Sequence, residues 1–161
     1  VKEIPLTQEK VVLVDDEDYE WLSQYNWYAH CDSWGINWYA VRKEHGQDVI
    51  MHRVILNALP EQEIDHRDRN GLNNQKYNLR FATPQQNRAN QRKRLSGKSN
   101  FQGVYFYSNR NKPWRAQISY SGIRNHIGYF ESEEDAARAY DEIAQEIFGE
   151  FAGLNFPEKT F

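Results

Sequence analysis

The segment from Phe101 to Gly149 constrains the fold most tightly. Residues 101–107, 113–120 and 124–130 are rich in aromatic and β-branched side chains, and the breaks between them hold Ser108-Asn109-Arg110-Asn111 and Ser121-Gly122. That pattern predicts three strands joined by turns. A helix follows. Ser132 and Asp135 make a Ser-x-x-Asp capping box with acids in the first turn, and Gly149 supplies the stop. Between them Ala136, Ala139, Tyr140, Ile143, Ala144 and Ile147 recur at helical spacing. Alanines on such a stripe let a helix lie close against a sheet. On the second strand Trp114, Ala116 and Ile118 then face the helix, whereas Arg115, Gln117 and Ser119 face away. Tyr105 and Tyr107 share the outward face, as do Arg124 and His126.

No Asp or Glu occurs between Arg69 and Phe130, yet that stretch carries Arg69, Lys76, Arg80, Arg88, Arg92, Lys93, Arg94, Lys98, Arg110, Lys112, Arg115 and Arg124. These are 12 of the 20 Lys and Arg residues, so all 23 acids share the remainder with only 8 bases, and the net charge of -3 hides the split. A basic, acid-free stretch suits a polyanion, because each Lys or Arg set on a phosphate releases a counterion. Double-stranded DNA is the expected partner. The mean hydropathy is -0.92 and no aliphatic run is longer than Val11–Val14, which excludes a spanning helix of about 20 apolar residues. No N-terminal stretch has the layout of a signal peptide. The single Cys31 excludes an internal disulfide framework and paired Cys-x-x-Cys zinc sites. The chain is expected to work in the cytoplasm, away from membranes, as a monomer or homodimer.

Residues 1–60 read as a β-rich scaffold segment. Strands are predicted at 10–14, 27–31 and 38–42, and acidic residues 15–20 open a short helix with Tyr19 and Leu22 on one face. Residues 49–56 are apolar and stop before Pro60. Four of the five tryptophans lie in this segment, where they are expected to build a small core. Residues 61–95 contain the turn dipeptide Asn70-Gly71. They end in a helix signalled by Thr83 as N-cap, Pro84 at the first position and Gln86 completing a capping box. Residues 96–100 read as a linker and 101–157 as a C-terminal domain. The fold class is α+β.

The middle segment pairs Asp65 with His66 at a predicted strand end, then places Asn78 before a second strand and Asn87 on the capped helix. This spacing resembles the HNH endonuclease family, in its H-N-N variant, over some thirty-five residues. The resemblance implies a ββα-metal finger, a hairpin plus one helix around a single divalent ion. It makes Asp65 and Asn87 the metal ligands and His66 the general base. It also makes Asn78 the residue that ties the loop to the hairpin and orients that base. A carboxylate and an amide oxygen suit a hard cation, Mg²⁺ or Mn²⁺. A histidine, with an ordinary pKa near 6.5, suits deprotonation of water. Arg80 is expected at the DNA, either clamping the scissile phosphate or solvating the hairpin. His52, among apolar residues of 51–55, fits either a packed role or help at the site.

Gly103-Val104-Tyr105, Trp114-Arg115-Ala116, Ile118, Gly128-Tyr129-Phe130, Ala136-Ala137, Ala139-Tyr140-Asp141, Ala144, Gly149 and Asn155-Phe156-Pro157 resemble the AP2/ERF DNA-binding domain. That resemblance implies a three-stranded antiparallel sheet backed by one helix, with the sheet entering the major groove. Tyr105, Tyr107, Arg115, Gln117, Ser119, Arg124 and His126 would read bases, while Arg110 and Lys112 hold phosphate. Arg88, Arg92, Lys93 and Arg94 would bridge the two modules along the backbone. Together the resemblances imply a phage- or bacterium-type homing endonuclease, metal-dependent, whose C-terminal domain selects the site. The alternative is a DNA-binding regulator with an inactive finger.

Overall fold

The computed structural model describes residues 1–33, 35–91 and 98–157. The predicted DNA contacts Arg92 and Arg94, and part of the predicted linker, lie outside the described residues. The architecture is α+β, with small antiparallel sheets and four α-helices among the described residues. None of those helices is long and apolar enough to cross a membrane. The chain divides into two compact units, Val1–Thr83 and Pro84–Phe161.

The first unit opens with a hairpin of β1 (Lys2–Pro5) and β2 (Val11–Val14), in which Ile4 faces Val12. Helix α1 (Asp16–Leu22) follows, with Asp16, Glu17 and Asp18 in its first turn to complement the helix dipole. A three-stranded antiparallel sheet comes next, β3 (Tyr28–Cys31), β4 (Trp38–Glu44) and β5 (Gln47–Ile50), with β4 central. The apolar run at 49–56 divides here: Ile50 ends β5 in an extended conformation and Met51–Ile55 form α2. Ile4, Val12, Val14, Leu22, Trp27, Ala40 and Met51 make the core, with Tyr19, Trp21 and Leu72 packed against it. The Trp27 indole donates to the Leu22 carbonyl at 2.8 Å. Of the other tryptophans expected in this core, Trp38 carries the Lys10 ammonium 4.2 Å above its ring, and Trp34 lies outside the described residues.

The last strands of this unit, β6 (Glu63–His66) and β7 (Leu79–Ala82), form an antiparallel hairpin. Their connecting loop is braced by the N-terminal segment. Leu13 donates its amide to the Leu72 carbonyl and accepts from the Asn74 amide, each at 2.8 Å. The Asp15 carboxylate accepts from the Gln75 side chain at 3.1 Å and the Lys76 amide at 2.8 Å. Leu13 and Asp15 thus brace the loop of the hairpin that carries Asp65 and His66.

The second unit begins with α3 (Pro84–Asn90), starting at the proline the capping signals select. Strands β8 (Val104–Phe106), β9 (Trp114–Tyr120) and β10 (Ile123–Phe130) form an antiparallel sheet with β9 central. Helix α4 (Glu133–Phe148) backs it, and Ser132 accepts from the Asp135 amide at 3.0 Å, as the capping box requires. Ala136, Ala137 and Ala144 are fully buried, and Val104, Ala116 and Ile118 supply the sheet's buried face. Ala137 rather than Ala139 joins the fully buried stripe.

Gly103 shows how closely helix and sheet approach. Its φ is +74°, and an added Cβ would lie 2.0 Å from the Tyr140 ring. Gly103→Ala is expected to destabilise this unit by more than the roughly 1–3 kcal/mol that a left-handed backbone alone costs a side chain. Amide hydrogen exchange of β9 and α4 measures it; unchanged protection would contradict this packing.

Candidate functional site

On the hairpin, Asp65 lies opposite Arg80 and His66 opposite Leu79. Adjacent residues of a strand project to opposite faces, so the carboxylate and the imidazole serve different surroundings. Arg80 donates to Asp65 Oδ2 from Nε at 2.8 Å and from Nη2 at 2.6 Å. Both side chains are buried, 7% and 6% exposed. Removing one partner of a buried pair costs about 3–5 kcal/mol, because it strands the other charge. Arg80 therefore has a structural duty that neither expectation for it included.

The loop between the strands is closed by Asn78. Its Nδ2 donates to Asp68 Oδ1 at 2.9 Å and to the Asn73 carbonyl at 2.8 Å. Its Oδ1 accepts from the Asp68 amide at 3.0 Å, and its carbonyl accepts from the Arg67 amide at 2.9 Å. Asp68 also accepts from the Asn73 side chain and the Asn70 amide, both at 2.8 Å. The loop lies so close to β4 that a Cβ on Gly71 would fall 2.4 Å from the Trp38 carbonyl and 2.7 Å from the Tyr39 ring.

Buried His66 has its Nε2 3.0 Å from Asn74 Oδ1. An amide oxygen only accepts, so this contact matches an imidazole protonated on Nε2. Burial pushes the imidazole pKa below its ordinary value, opposed by the Asn74 bond and the charges of Asp68 and Asp65. The ring of His52 meets that of His66 edge-on, centroids 5.0 Å apart at 82°, and Tyr39 lies 5.8 Å from His52 and 6.1 Å from His66. Burial, then the neighbouring His66 and Arg53, takes the His52 pKa down to about 3. His52 is thus both packed and beside the predicted base; its distance from the motif in sequence gave no sign of which neighbour it meets.

Asn87 and Arg88 stand on α3, in the second unit, Asn87 half-buried and Arg88 exposed. Among the described residues no three His, Cys, Asp or Glu side chains converge as a metal cage. The oxygen donors singled out by the motif are one carboxylate and one amide.

The outer face of β8–β10 gathers the other predicted DNA contacts. Arg115 lies opposite both Tyr105 and Tyr129, Gln117 opposite His126, and Ser119 opposite Arg124. Arg115 donates from Nε to His126 Nδ1 at 3.2 Å and from Nη1 to the Tyr107 hydroxyl at 3.5 Å. The Arg110 guanidinium sits 4.2 Å over the Tyr129 ring, and Lys112 is exposed in the β8–β9 turn. Tyr129 was missed from sequence. A register shift between His126 and Gly128 inverts the alternation of β10, pairing Tyr129 with Arg115 while Ile127 and Phe130 pack inward. Gly128 beside aromatic residues is the one signal of such a bulge.

The His52 shift fixes a pH dependence. Folded, His52 stays neutral down to about pH 3; unfolded, it takes a proton near pH 6.5. Between those values the unfolded state binds the extra proton, so stability falls as pH falls. His52→Phe, which keeps a ring against His66, is expected to flatten the slope of unfolding free energy between pH 6 and 4.5 by about 1.4 kcal/mol per unit. Urea titrations across that range check it, and parallel slopes would refute it.

No family model and no solved structure matches this chain. A protein of Acanthamoeba polyphaga mimivirus, named an uncharacterized HNH endonuclease, is 39% identical over 140 residues, covering 83% of this chain and 68% of the viral protein. An ethylene-responsive transcription factor-like protein of Arabidopsis thaliana is 30% identical over 82 residues, half of this chain and 35% of its own length. A Lupinus polyphyllus protein, PPLZ02, is 50% identical over 46 residues, 27% of this chain and 28% of its own length. The viral relative shares most of the chain, both units included, and the chain belongs to the HNH endonuclease family.

Proposed function

We propose that this protein is a metal-dependent DNA endonuclease in which His66 is the general base and the outer face of the β8–β10 sheet selects the site. The observation that carries the reading is His66, buried next to Asp65 in a hairpin locked by Asn78, with Nε2 held by Asn74. Hydrolysis of a phosphodiester needs a water deprotonated in line with the departing 3′-oxygen and counter-charge for the phosphoryl oxygens. His66 takes the proton; an imidazole kept neutral by burial is in the right form at neutral pH. Asn74 holds its ring orientation, and Asn78 holds the loop that supplies Asn74.

Asp65 and Asn87 are hard oxygen donors, a fit for Mg²⁺ or Mn²⁺ completed by phosphate and water. Such an ion, when bound, supplies the counter-charge for the phosphate. Arg80 balances Asp65 while the carboxylate is buried. The sheet face, with Arg115 between aromatic and amide side chains and free of acidic residues, suits base edges and sugars as an AP2/ERF-like reader does. Arg110, Lys112 and Arg88 suit phosphates. One hairpin cuts one strand, so a single copy nicks.

Supercoiled plasmid carrying candidate sites, incubated with the protein and Mg²⁺ or Mn²⁺, tests this. Nicking that EDTA abolishes is expected, with His66→Ala slower by about 10²- to 10⁴-fold and Asn87→Ala also impaired. Salt-sensitive DNA binding without cleavage by any arm would overturn the endonuclease reading in favour of a DNA-binding regulator.

A further inference from the structure

The helix that carries Asn87 is seated on the C-terminal unit. Of α3, Ala89 and Asn90 are buried. The last carbonyls of a helix have no partner within it. Here the Ala89 carbonyl accepts from the Gly153 amide at 3.1 Å and from the Gln102 side chain at 3.5 Å. Gly153 is required by proximity: an added Cβ would lie 2.5 Å from the Ala89 carbonyl oxygen and 3.4 Å from Asn90 Cα. Gln102 is tied onward. The Gln102 amide donates to Asn155 Oδ1 at 2.6 Å, and Asn155 Nδ2 returns a bond to the Gln102 carbonyl at 3.2 Å. The Asn155 and Phe156 amides donate to the two oxygens of Asp141 on α4, each at 2.8 Å. A continuous hydrogen-bonded chain thus runs from α4 through Asn155 and Gln102 to the end of α3. Asn87 stands two residues before Ala89 and three before Asn90, so the seat fixes the last turn of the short helix that carries it.

We infer that Gly153 and Gln102 are positioning residues for Asn87, so that the sheet-bearing unit sets the placement of a metal ligand as well as binding DNA. This rests on the assignment of Asn87 above. Neither residue touches the nucleic acid or the metal in this scheme; both act through the Ala89 carbonyl. A reader joined only by a tether would leave cleavage chemistry indifferent to its interior. A reader that holds α3 makes the chemistry depend on a glycine and a glutamine far along the sequence.

The full chain tests this in two variants. Gly153→Ala forces a Cβ against backbone, and Gln102→Met removes the side-chain amide while keeping its length. In Gly153→Ala, amide hydrogen exchange at residues 87–91 is expected to rise by about tenfold or more through local opening, with exchange in α4 and β9 unchanged. Nicking at saturating DNA should fall by about 10- to 100-fold, the scale set by misplacement of a reacting group by about 1 Å. The half-saturating Mn²⁺ concentration should rise, and DNA affinity in EDTA should stay within about twofold. Gln102→Met should move every readout the same way and less far. Unchanged exchange in α3, or cleavage lost only in proportion to DNA affinity, would overturn the proposal. A wild-type chain that cleaves with no metal would sink the assignment of Asn87 as a metal ligand, while the exchange measurement still decides whether Gly153 and Gln102 seat the helix.

Discussion

Everything at the candidate active site depends on the side-chain amide of Asn78. The loop it closes is dense in Asp, Asn and Arg, and such a segment can be buried only if each polar group has a partner. Asn78 supplies bonds to the Asp68 side chain, the Asp68 amide and the Asn73 carbonyl from one planar group. Asp68 in turn orders Asn70 and Asn73, and the shaped loop delivers Asn74 to His66. The parallel bridge to β2 and the Asp15 contacts hold the outside of the same loop. A hairpin of two four-residue strands has little stability of its own; here it is stiffened from both sides.

Burial gives this scaffold its chemical character. Asp65 is matched by Arg80, and the histidines beyond it share a site where charging an imidazole is costly. The result is an imidazole whose pKa is held below its ordinary value and whose ring is oriented by Asn74. The same burial is expected to make the fold lose stability as pH falls. On the other unit, the outer sheet face sets arginine, tyrosine and histidine side chains against one another.

Local rules made much of this legible in sequence. The capped helix α4, its alanine stripe and the alternation of β9 follow from contacts a few residues apart, and so do the start of α3 and the turn at Asn70-Gly71. The Asp65, His66 and Asn78 cluster was readable as a motif because its spacing follows the hairpin. What escaped was set by long-range contact. Lys2–Pro5 is a strand because Val11–Val14 lies beside it. The apolar run after Val49 could not be divided by hydrophobicity, since buried strand and buried helix look alike there. Tyr129 faces outward because of a bulge, Arg80 is claimed by Asp65 across the hairpin, and His52 meets His66 only after the chain has folded back.

His66 is expected to be a neutral imidazole with its proton on Nε2, as the proposed chemistry requires. Long-range ¹H–¹⁵N NMR of the histidine side chains, assigned with His66→Gln and followed from pH 8 to pH 4.5, reads both the tautomer and the titration. The account predicts the Nε2-protonated form at neutral pH and protonation only below the ordinary histidine range near 6.5. A proton on Nδ1, or an imidazolium already present at pH 7, would contradict it.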